Sequence, residues 1–176
     1  MDRLAAKRNQ IRHAREHLGE NEELLVSQVM TSTPRCIPPE TSALELVRLF
    51  HSNEFRHLLV KSPRGELLGV VSDRDVLRYL GPDRPNKDML ESVAASKVMS
   101  SDVITVKPRM PLRQAVSIMI THGISSLPVL ADGLLVGIIT NTDLQVALQL
   151  LLSTSQSPKC SDSMSSRIDQ LTVSSE

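Results

Sequence analysis

The sequence is poor in aromatic residues, balanced in charge and without a long apolar run. Its 176 residues include no tryptophan and only three other aromatic side chains, Phe50, Phe55 and Tyr79, so the core must be aliphatic. Twenty Lys and Arg balance twenty Asp and Glu, which argues against nucleic acid as the main partner. No run is long enough to span a bilayer, and the charged N-terminus lacks the apolar segment of a signal peptide. We therefore expect neither a membrane nor a nucleic acid as partner.

Catalytic and metal-binding patterns are also missing. The two cysteines, Cys36 and Cys160, follow no metal-binding or redox spacing, and a reducing cytoplasmic environment is the expectation. No Gly-rich phosphate loop occurs, and no order of Ser, His and Asp or of Cys and His typical of nucleophilic catalysis. The sequence therefore predicts a protein that is not an enzyme and that has neither a metal nor a catalytic cofactor.

About fifty residues of the chain occur twice. Val29-Met30-Thr31-Ser32 recurs as Val98-Met99-Ser100-Ser101, at an offset of 69 positions. After a turn that differs by one residue the offset becomes 68, and Gly69 to Asp75 aligns with Gly137 to Asp143. Two copies of this length indicate a duplicated pair rather than a solenoid.

Each copy begins with a short lead-in helix, predicted at 23–30 and at 89–99. The order strand, helix, strand, strand, helix is predicted to follow, because short β-branched runs alternate with apolar residues at helical spacing. In the first copy the strands are predicted at 35–37, 57–61 and 66–72 and the helices at 41–50 and 74–80. In the second copy the strands are predicted at 103–106, 127–130 and 134–140, and the helices from Pro111 (at the first helical position) and at 142–152. The predicted segments are an N-terminal basic amphipathic helix (1–25), a first unit (26–80), a linker and lead-in helix (81–95), a second unit (96–152) and a disordered Ser-rich tail (153–176).

The N-terminal segment predicts a helix over residues 2–18 that ends at Gly19. Four apolar residues fall near one face: Leu4, Ile11, Ala14 and Leu18. Five basic residues fill the rest: Arg3, Lys7, Arg8, Arg12 and Arg15. Such a helix either lies on a membrane surface or packs on the body or on a partner subunit, and the thin apolar face favours packing.

The end of each copy carries the most specific chemistry. The closing motifs are residues 69–75 and 137–143. In each, Ser72 or Thr140 ends a buried strand, and Asp75 or Asp143 follows three positions later. At a helix start the unpaired N–H groups and the helix dipole favour a phosphate, and a hydroxyl adds a donor. The carboxylate can accept from the two hydroxyls of a ribose. The alternative is a helix N-cap without a ligand, but the match between two complete motifs favours ligand binding.

With these residues placed, the chain resembles a tandem pair of cystathionine-β-synthase (CBS) domains, the Bateman module. The resemblance covers about residues 26–150 and is carried by V-M-T-S-T-P-R-C-I-P-P, V-M-S-S-D-V-I-T-V-K-P, F-R-H-L-L-V, H-G-I-S-S-L-P-V-L and the two closing motifs. It implies an α/β fold of two β-α-β-β-α CBS units packed sheet to sheet with pseudo-two-fold symmetry. It also implies clefts between the units for an adenosine-containing ligand such as AMP, ADP, ATP or S-adenosylmethionine.

The resemblance further implies that each cleft takes its hydroxyl and carboxylate from one unit and the surroundings of the base from the other. One cleft would be formed by Ser72, Asp75, Thr105, Ile124, Ser125, Ser126, Leu127 and Pro128. The other would be formed by Thr140, Asp143, Cys36, Ile37, Arg56, His57 and Leu58. Arg56 and His57 are similar in place to a phosphate-binding pair of the family, in reversed order, whereas Cys36 replaces the hydroxyl of Thr105 by a weak thiol donor.

The function expected on these grounds is a non-catalytic regulatory module that senses an adenine nucleotide and acts on a protein partner. A homodimer is expected, because the helices at 41–50 and 111–120 carry more apolar residues than one core-facing stripe needs. The alternative is an adaptor with empty clefts that recruits a partner through the basic N-terminal helix or the Ser-rich tail.

Overall fold

The computed structural model describes residues 3–19, 22–52, 55–81 and 86–154. Its elements are α1 (Arg3–Glu16), α2 (Val26–Val29), β1 (Cys36–Ile37), α3 (Ala43–Ser52), β2 (His57–Lys61), β3 (Leu67–Ser72), α4 (Asp73–Leu80), α5 (Lys87–Ser92), α6 (Ala95–Val98), α7 (Leu112–His122), β4 (Ser126–Ala131), β5 (Leu134–Thr140) and α8 (Asn141–Thr154). The Ser-rich tail beyond residue 154, with its predicted disorder, and positions 82–85 of the predicted linker lie outside the described residues.

Both halves contain the predicted α/β unit. In the first, β1 pairs in parallel with β2, and β2 pairs antiparallel with β3. In the second, β4 and β5 pair antiparallel, and the strand predicted at 103–106 is reduced to one parallel bridge between Val106 and Val129. The predicted fold class is confirmed, with a first strand in the second unit that is only one bridge long.

The helix that follows Pro111 and the lead-in helix of the second unit differ from the sequence prediction. Pro111 is the residue before α7 rather than its first residue, since its ψ of 136° is not helical. The lead-in helix predicted at 89–99 is divided into α5 and α6, because Val93 and Ala94 are extended. The extended backbone forms a bridge to the start of α3, in which the Ala43 N–H donates to the Val93 carbonyl at 2.7 Å.

The short lead-in helices α2 and α6 are exchanged between the units. Val26 and Val29 of α2 are fully buried in the core of the second unit, and the Val26 N–H donates to the Met110 carbonyl at 2.9 Å. Ala95 and Val98 of α6 are buried in the core of the first unit. Each hydrophobic core is therefore completed by a segment that belongs, in sequence, to the other copy.

The residues that follow the exchanged helices bridge to the closing strand of the opposite unit. Thr31 and Ile138 exchange two backbone hydrogen bonds of 2.8 and 3.0 Å, and Ser100 and Val70 exchange two of 2.9 and 3.0 Å. The two bridges join residues at matched places in the repeat. This reciprocity is the relation that a pseudo-two-fold axis produces.

The glycine that begins each closing motif allows the segment after the exchanged helix to approach the closing strand of the opposite unit. A Cβ atom on Gly69 would lie 2.6 Å from Met99 Sδ, and one on Gly137 would lie 2.5 Å from Met30 Sδ. Real Cβ contacts of that length do not occur without displacement of the neighbour. Glycine is thus required at both positions because the opposite unit packs directly on the strand.

Helix α1 packs against α2 and α8 on the body of the second unit. Lys7 and Ile11 are its buried residues, and Ile11, 1% exposed, belongs to the second-unit core. The basic helix therefore packs on the body of the protein, which is the alternative that its thin apolar face favours. Among the described residues, no helix combines the length and the apolar character needed to cross a membrane.

Candidate functional site

The first closing motif is both a helix cap and an open acceptor. Ser72 caps α4, and Asp75 Oδ2 accepts from the Ser72 N–H at 2.8 Å and from Ser72 Oγ at 2.6 Å. Asp75 Oδ1 is approached by Arg78 Nη1 at 3.4 Å, from a side chain that is 80% exposed. An exposed ion pair of this kind is weak. Capping therefore uses one carboxylate oxygen and leaves the other accessible to a hydroxyl donor.

The second closing motif repeats the two hydrogen bonds from the hydroxyl residue to one carboxylate oxygen, but its other oxygen is occupied as well. Asp143 Oδ2 accepts from the Thr140 N–H and from Thr140 Oγ1, both at 2.8 Å. Asp143 Oδ1 accepts from Lys7 Nζ at 2.9 Å and from Thr31 Oγ1 at 3.3 Å. The Asp143 side chain is only 6% exposed. The two carboxylates are thus matched in sequence and different in accessibility.

A cavity of about 700 Å³ opens between the two units. Its walls are formed by residues 31–35 and 55–57 of the first unit, by the starts of α4 and α8 at 72–74 and 140–143, and by part of α1. The cavity therefore brings together two helix N-termini and their cap hydroxyls, which is an arrangement that favours an anionic ligand.

The charge of the cavity wall is predominantly positive. Four arginines line it (Arg3, Arg35, Arg56 and Arg74), together with Lys7, against the carboxylates of Asp73 and Asp143. Within the described part of the chain, no carboxylate oxygen lies within 4.0 Å of a side-chain nitrogen of the four arginines. Guanidinium groups bind phosphate through paired hydrogen bonds, so this wall suits a phosphorylated ligand.

His57 joins the two units at this cavity. Its Nε2 lies 2.9 Å from Ser125 Oγ, across the interface. Burial lowers the pKa of His57 below its ordinary value, the nearby Asp73 opposes the shift, and Arg56 reinforces it. His57 is therefore mainly neutral at pH 7, and the positive charge that can meet a phosphate comes from the arginines.

The residues predicted for the Asp143 cleft are divided between the cavity wall and the core. Those that line the cavity are Thr140, Asp143, Arg56 and His57. Ile37 and Leu58 are buried in the first-unit core. Cys36 is exposed and lines a separate shallow depression beside Lys61.

The residues predicted for the Asp75 cleft are divided in a similar way. Ser72 and Ser125 line the cavity between the units, whereas Asp75 is not among its lining residues and its side chain is 18% exposed. Leu127 and Pro128 are fully buried, Ile124 packs partly on the second-unit core, and Thr105 is exposed. Ser126 is half-buried and pairs with Thr140 in the β4–β5 ladder.

Sequence reasoning did not assign several cavity residues. Arg35 immediately precedes the predicted Cys36, and Phe55 immediately precedes the predicted Arg56, so both were within one position of the expected wall. Lys7 was assigned to the solvated face of α1. It lies four positions before the buried Ile11, and that spacing places two side chains on one helix face. This spacing was the available signal.

Duplicated α/β units with exchanged lead-in helices and matched hydroxyl–carboxylate motifs define a module of two paired units. The family model described as "CBS domain" matches residues 26–82 and 95–150, and the chain belongs to the CBS-domain family. Within the described residues, no group of three or more His, Cys, Asp or Glu side chains is arranged to hold a metal ion.

Two curated relatives show the extent of the similarity. The chain is 35% identical over 109 residues to a homoserine O-acetyltransferase of Methanocorpusculum labreanum, covering 62% of this chain and 21% of that protein. It is 30% identical over 148 residues to the uncharacterized protein MJ1225 of Methanocaldococcus jannaschii, covering 80% of this chain and 52% of that protein. The chain thus spans about a fifth and about half of the length of these relatives.

Two solved structures share the fold. A putative acetoin utilization protein (AcuB) from Vibrio cholerae superposes with a TM-score of 0.66 at 30% identity, over 78% of this chain and 99% of that one. The CBS domain pair of protein MJ0100, solved in complex with 5′-methylthioadenosine and S-adenosyl-L-methionine, superposes with a TM-score of 0.63 at 22% identity. That match covers 76% of this chain and 99% of the MJ0100 pair.

Proposed function

We propose that this chain is a non-catalytic regulatory module that binds an adenosine-containing ligand in clefts between its two CBS units. The observation that carries the proposal is the cavity between the units, in which cap hydroxyls, two helix N-termini and four arginines face one space. The adenosyl ligands of the MJ0100 pair support the same ligand class.

The Asp75 side of the interface offers the better ribose acceptor. Within the described ranges, Asp75 Oδ1 has one weak contact, with Arg78, so it can accept from a ribose hydroxyl without breaking the cap of α4. A charge-assisted hydrogen bond of this kind contributes about 1.5–3 kcal/mol. Asp75 therefore binds the sugar, and Ser72 and the start of α4 lie where they can meet the rest of the nucleotide.

The charge of the cavity wall favours AMP, ADP or ATP over S-adenosylmethionine. Five cationic side chains face two carboxylates in this cavity. A phosphate gains from these cations, whereas the sulfonium and ammonium groups of S-adenosylmethionine are repelled by them. Phosphorylated adenosines are therefore the proposed physiological class.

Regulation would follow from the interface position of the cavity. A ligand shifts the arrangement of the units only to the extent that it binds one arrangement more tightly. Because α2 and α6 are each inserted in the opposite core, a change of angle between the units moves both exchanged segments together. Movement of these segments is the proposed signal to a regulated protein partner.

The same module is proposed to form a homodimer through its helices. Val47 of α3 and Ile120 of α7 are 38% and 75% exposed. Both lie on the helices that carry surplus apolar residues, and a two-fold dimer would bury this surface against its own copy. Assembly by this route does not require the Ser-rich tail.

A melting experiment tests the ligand proposal. Thermal unfolding of the full chain is measured with adenosine, AMP, ADP, ATP and S-adenosylmethionine. A ligand present at 100 times its Kd should add about 2.7 kcal/mol to the free energy of unfolding. The phosphorylated compounds should raise the melting temperature more than adenosine does. An unchanged melting temperature with all five compounds would refute the proposal and favour the adaptor with empty clefts.

A further inference from the structure

We propose that helix α1 is a built-in competitor for the Asp143 cleft. Lys7 holds the carboxylate that a ribose would need there, and a diol-bearing ligand enters this cleft only by displacing Lys7. The inference rests on the proposed function, because it concerns how one of the two proposed ligand sites is controlled. It is carried by the contacts of Lys7 and of Asp143.

Lys7 is fully used in its present position. Its Nζ donates to the Val29 carbonyl at 2.8 Å, to the Met30 carbonyl at 2.8 Å and to Asp143 Oδ1 at 2.9 Å. An ammonium group has three donors, so none is left for a phosphate. The side chain is 9% exposed. Lys7 therefore occupies the Asp143 carboxylate and is not a phosphate-binding residue.

Asp143 is equally saturated. Its Oδ2 receives two hydrogen bonds from Thr140, and its Oδ1 receives Lys7 and Thr31. A ribose diol would have to donate to Oδ1, because Oδ2 belongs to the cap. Lys7 and the diol thus compete for one oxygen atom.

The first closing motif shows the same site without the competitor. Asp75 accepts the same two hydrogen bonds from Ser72, and among the described residues its Oδ1 contacts the exposed Arg78. At the carboxylates, the two motifs therefore differ in the partners of Oδ1, which are Lys7 and Thr31 for Asp143 and the exposed Arg78 for Asp75. On this basis Asp75 Oδ1 can accept from a ligand hydroxyl, whereas Asp143 Oδ1 is occupied until Lys7 leaves.

Helix α1 must leave the second unit for the ligand to enter, and its contacts there also include Gln10 Nε2 to the Gln28 carbonyl and Arg15 Nη1 to the Leu150 carbonyl. It has 14 residues, and isolated helices of that length are marginal in water. Apart from Lys7, its buried anchor is Ile11, and its other contacts include hydrogen bonds at the protein surface such as Arg8 Nη2 to Gln149 Oε1 at 3.3 Å. If a ligand takes Asp143 Oδ1 while Lys7 stays beside the two carbonyls, the buried ammonium group loses its counter-ion, which is unfavourable. Occupation of the cleft therefore loosens α1.

The affinity test uses AMP as the probe and Asp75→Asn as the background, so that the Asp143 cleft is the site that reports. Adding Lys7→Met to this background should tighten AMP binding in calorimetry by about 5- to 150-fold, the usual range of a coupling between sites. Arg12→Met is the matched control, since it removes the same charge from an exposed position of α1. The control should leave the affinity unchanged.

The second measurement is hydrogen exchange of the α1 amides. Asp143→Asn should accelerate exchange in α1 without any ligand, because Lys7 loses its carboxylate. Saturating AMP should accelerate it in the wild-type chain. If AMP binds at the Asp75 cleft but Lys7→Met gives no tighter binding at Asp143, the inference is overturned and the proposed function stands. If AMP binds to neither the wild type nor Lys7→Met, the proposed function is overturned as well.

Discussion

Replacing Asp75 by asparagine separates ligand binding from helix capping. The amide oxygen of asparagine can still accept from the Ser72 N–H and hydroxyl, as Asp75 Oδ2 does at 2.8 and 2.6 Å. The second position of the side chain becomes an NH₂ group, which donates and cannot accept from a ribose hydroxyl. The substitution therefore changes the ligand-facing atom and keeps the cap of α4.

The expected loss follows from the contact that disappears. A hydrogen bond to a charged group contributes about 1.5–3 kcal/mol, which corresponds to roughly ten- to a hundredfold weaker binding. Calorimetry with AMP should show this loss for Asp75→Asn. The free energy of unfolding should change little, because the contact that Oδ1 makes in the described part of the chain is a weak one with the exposed Arg78.

Asp75→Ala is the matched variant that removes the cap as well. It should lose the same affinity and, in addition, about 1 kcal/mol of stability. AMP affinity that is equal in the wild type and in Asp75→Asn would refute the assignment of Oδ1 to the ligand. A loss in Asp75→Ala alone would show that the residue acts only through the cap.

Four further outcomes are expected. Gly137→Ala should destabilise the chain by about 1–3 kcal/mol in urea unfolding because its Cβ would lie 2.5 Å from Met30 Sδ; Met30→Ala should recover part of this, and additive losses would contradict the contact. The pKa of His57 is lowered in the folded state, so the unfolded chain binds the proton first as pH falls below about 6.5. The free energy of unfolding should therefore fall there, by at most about 1.4 kcal/mol per pH unit, and an identical pH profile in His57→Gln would be evidence against this. Arg56→Ala should weaken AMP binding more than adenosine binding, and equal losses would exclude a phosphate contact. Ile120→Glu should convert a dimer to a monomer in light scattering, and an unchanged mass would exclude α7 from the interface.

The two units could be predicted from the sequence because the patterns that define their strands and helices are short-range. The turn and strand patterns around Gly69 and Gly137 recur at an offset that changes by one residue in the turn, and each pattern predicts a hairpin and a helix start by short-range rules. The exchange of α2 and α6 could not be predicted in this way. An apolar residue such as Val26 or Val98 indicates burial, but it carries no information on which of two similar cores receives it.

The site could be predicted only in part for a related reason. The caps by Ser72 and Thr140 follow from spacing along the chain, whereas the accessibility of each carboxylate depends on a distant segment. Lys7 resembles the solvated basic residues around it in sequence. Its burial follows from the packing of Ile11 against the second unit, which is a long-range contact.

The exchange of α2 and α6 also sets an order for folding during synthesis. The first unit has all of its strands once residue 72 has emerged, but Ala95 and Val98, which close its core, are made later. Until then, one side of this core is exposed to solvent. Val26 and Val29 of α2 are also exposed at this stage, because the second unit that buries them has not yet been made. Domains that fold one after the other on the ribosome do so because each is complete by itself. Here the first core is completed only after residue 98 has been made, and α2 is buried only after most of the second unit has been made, so a truncated product would expose apolar surface and be prone to aggregation.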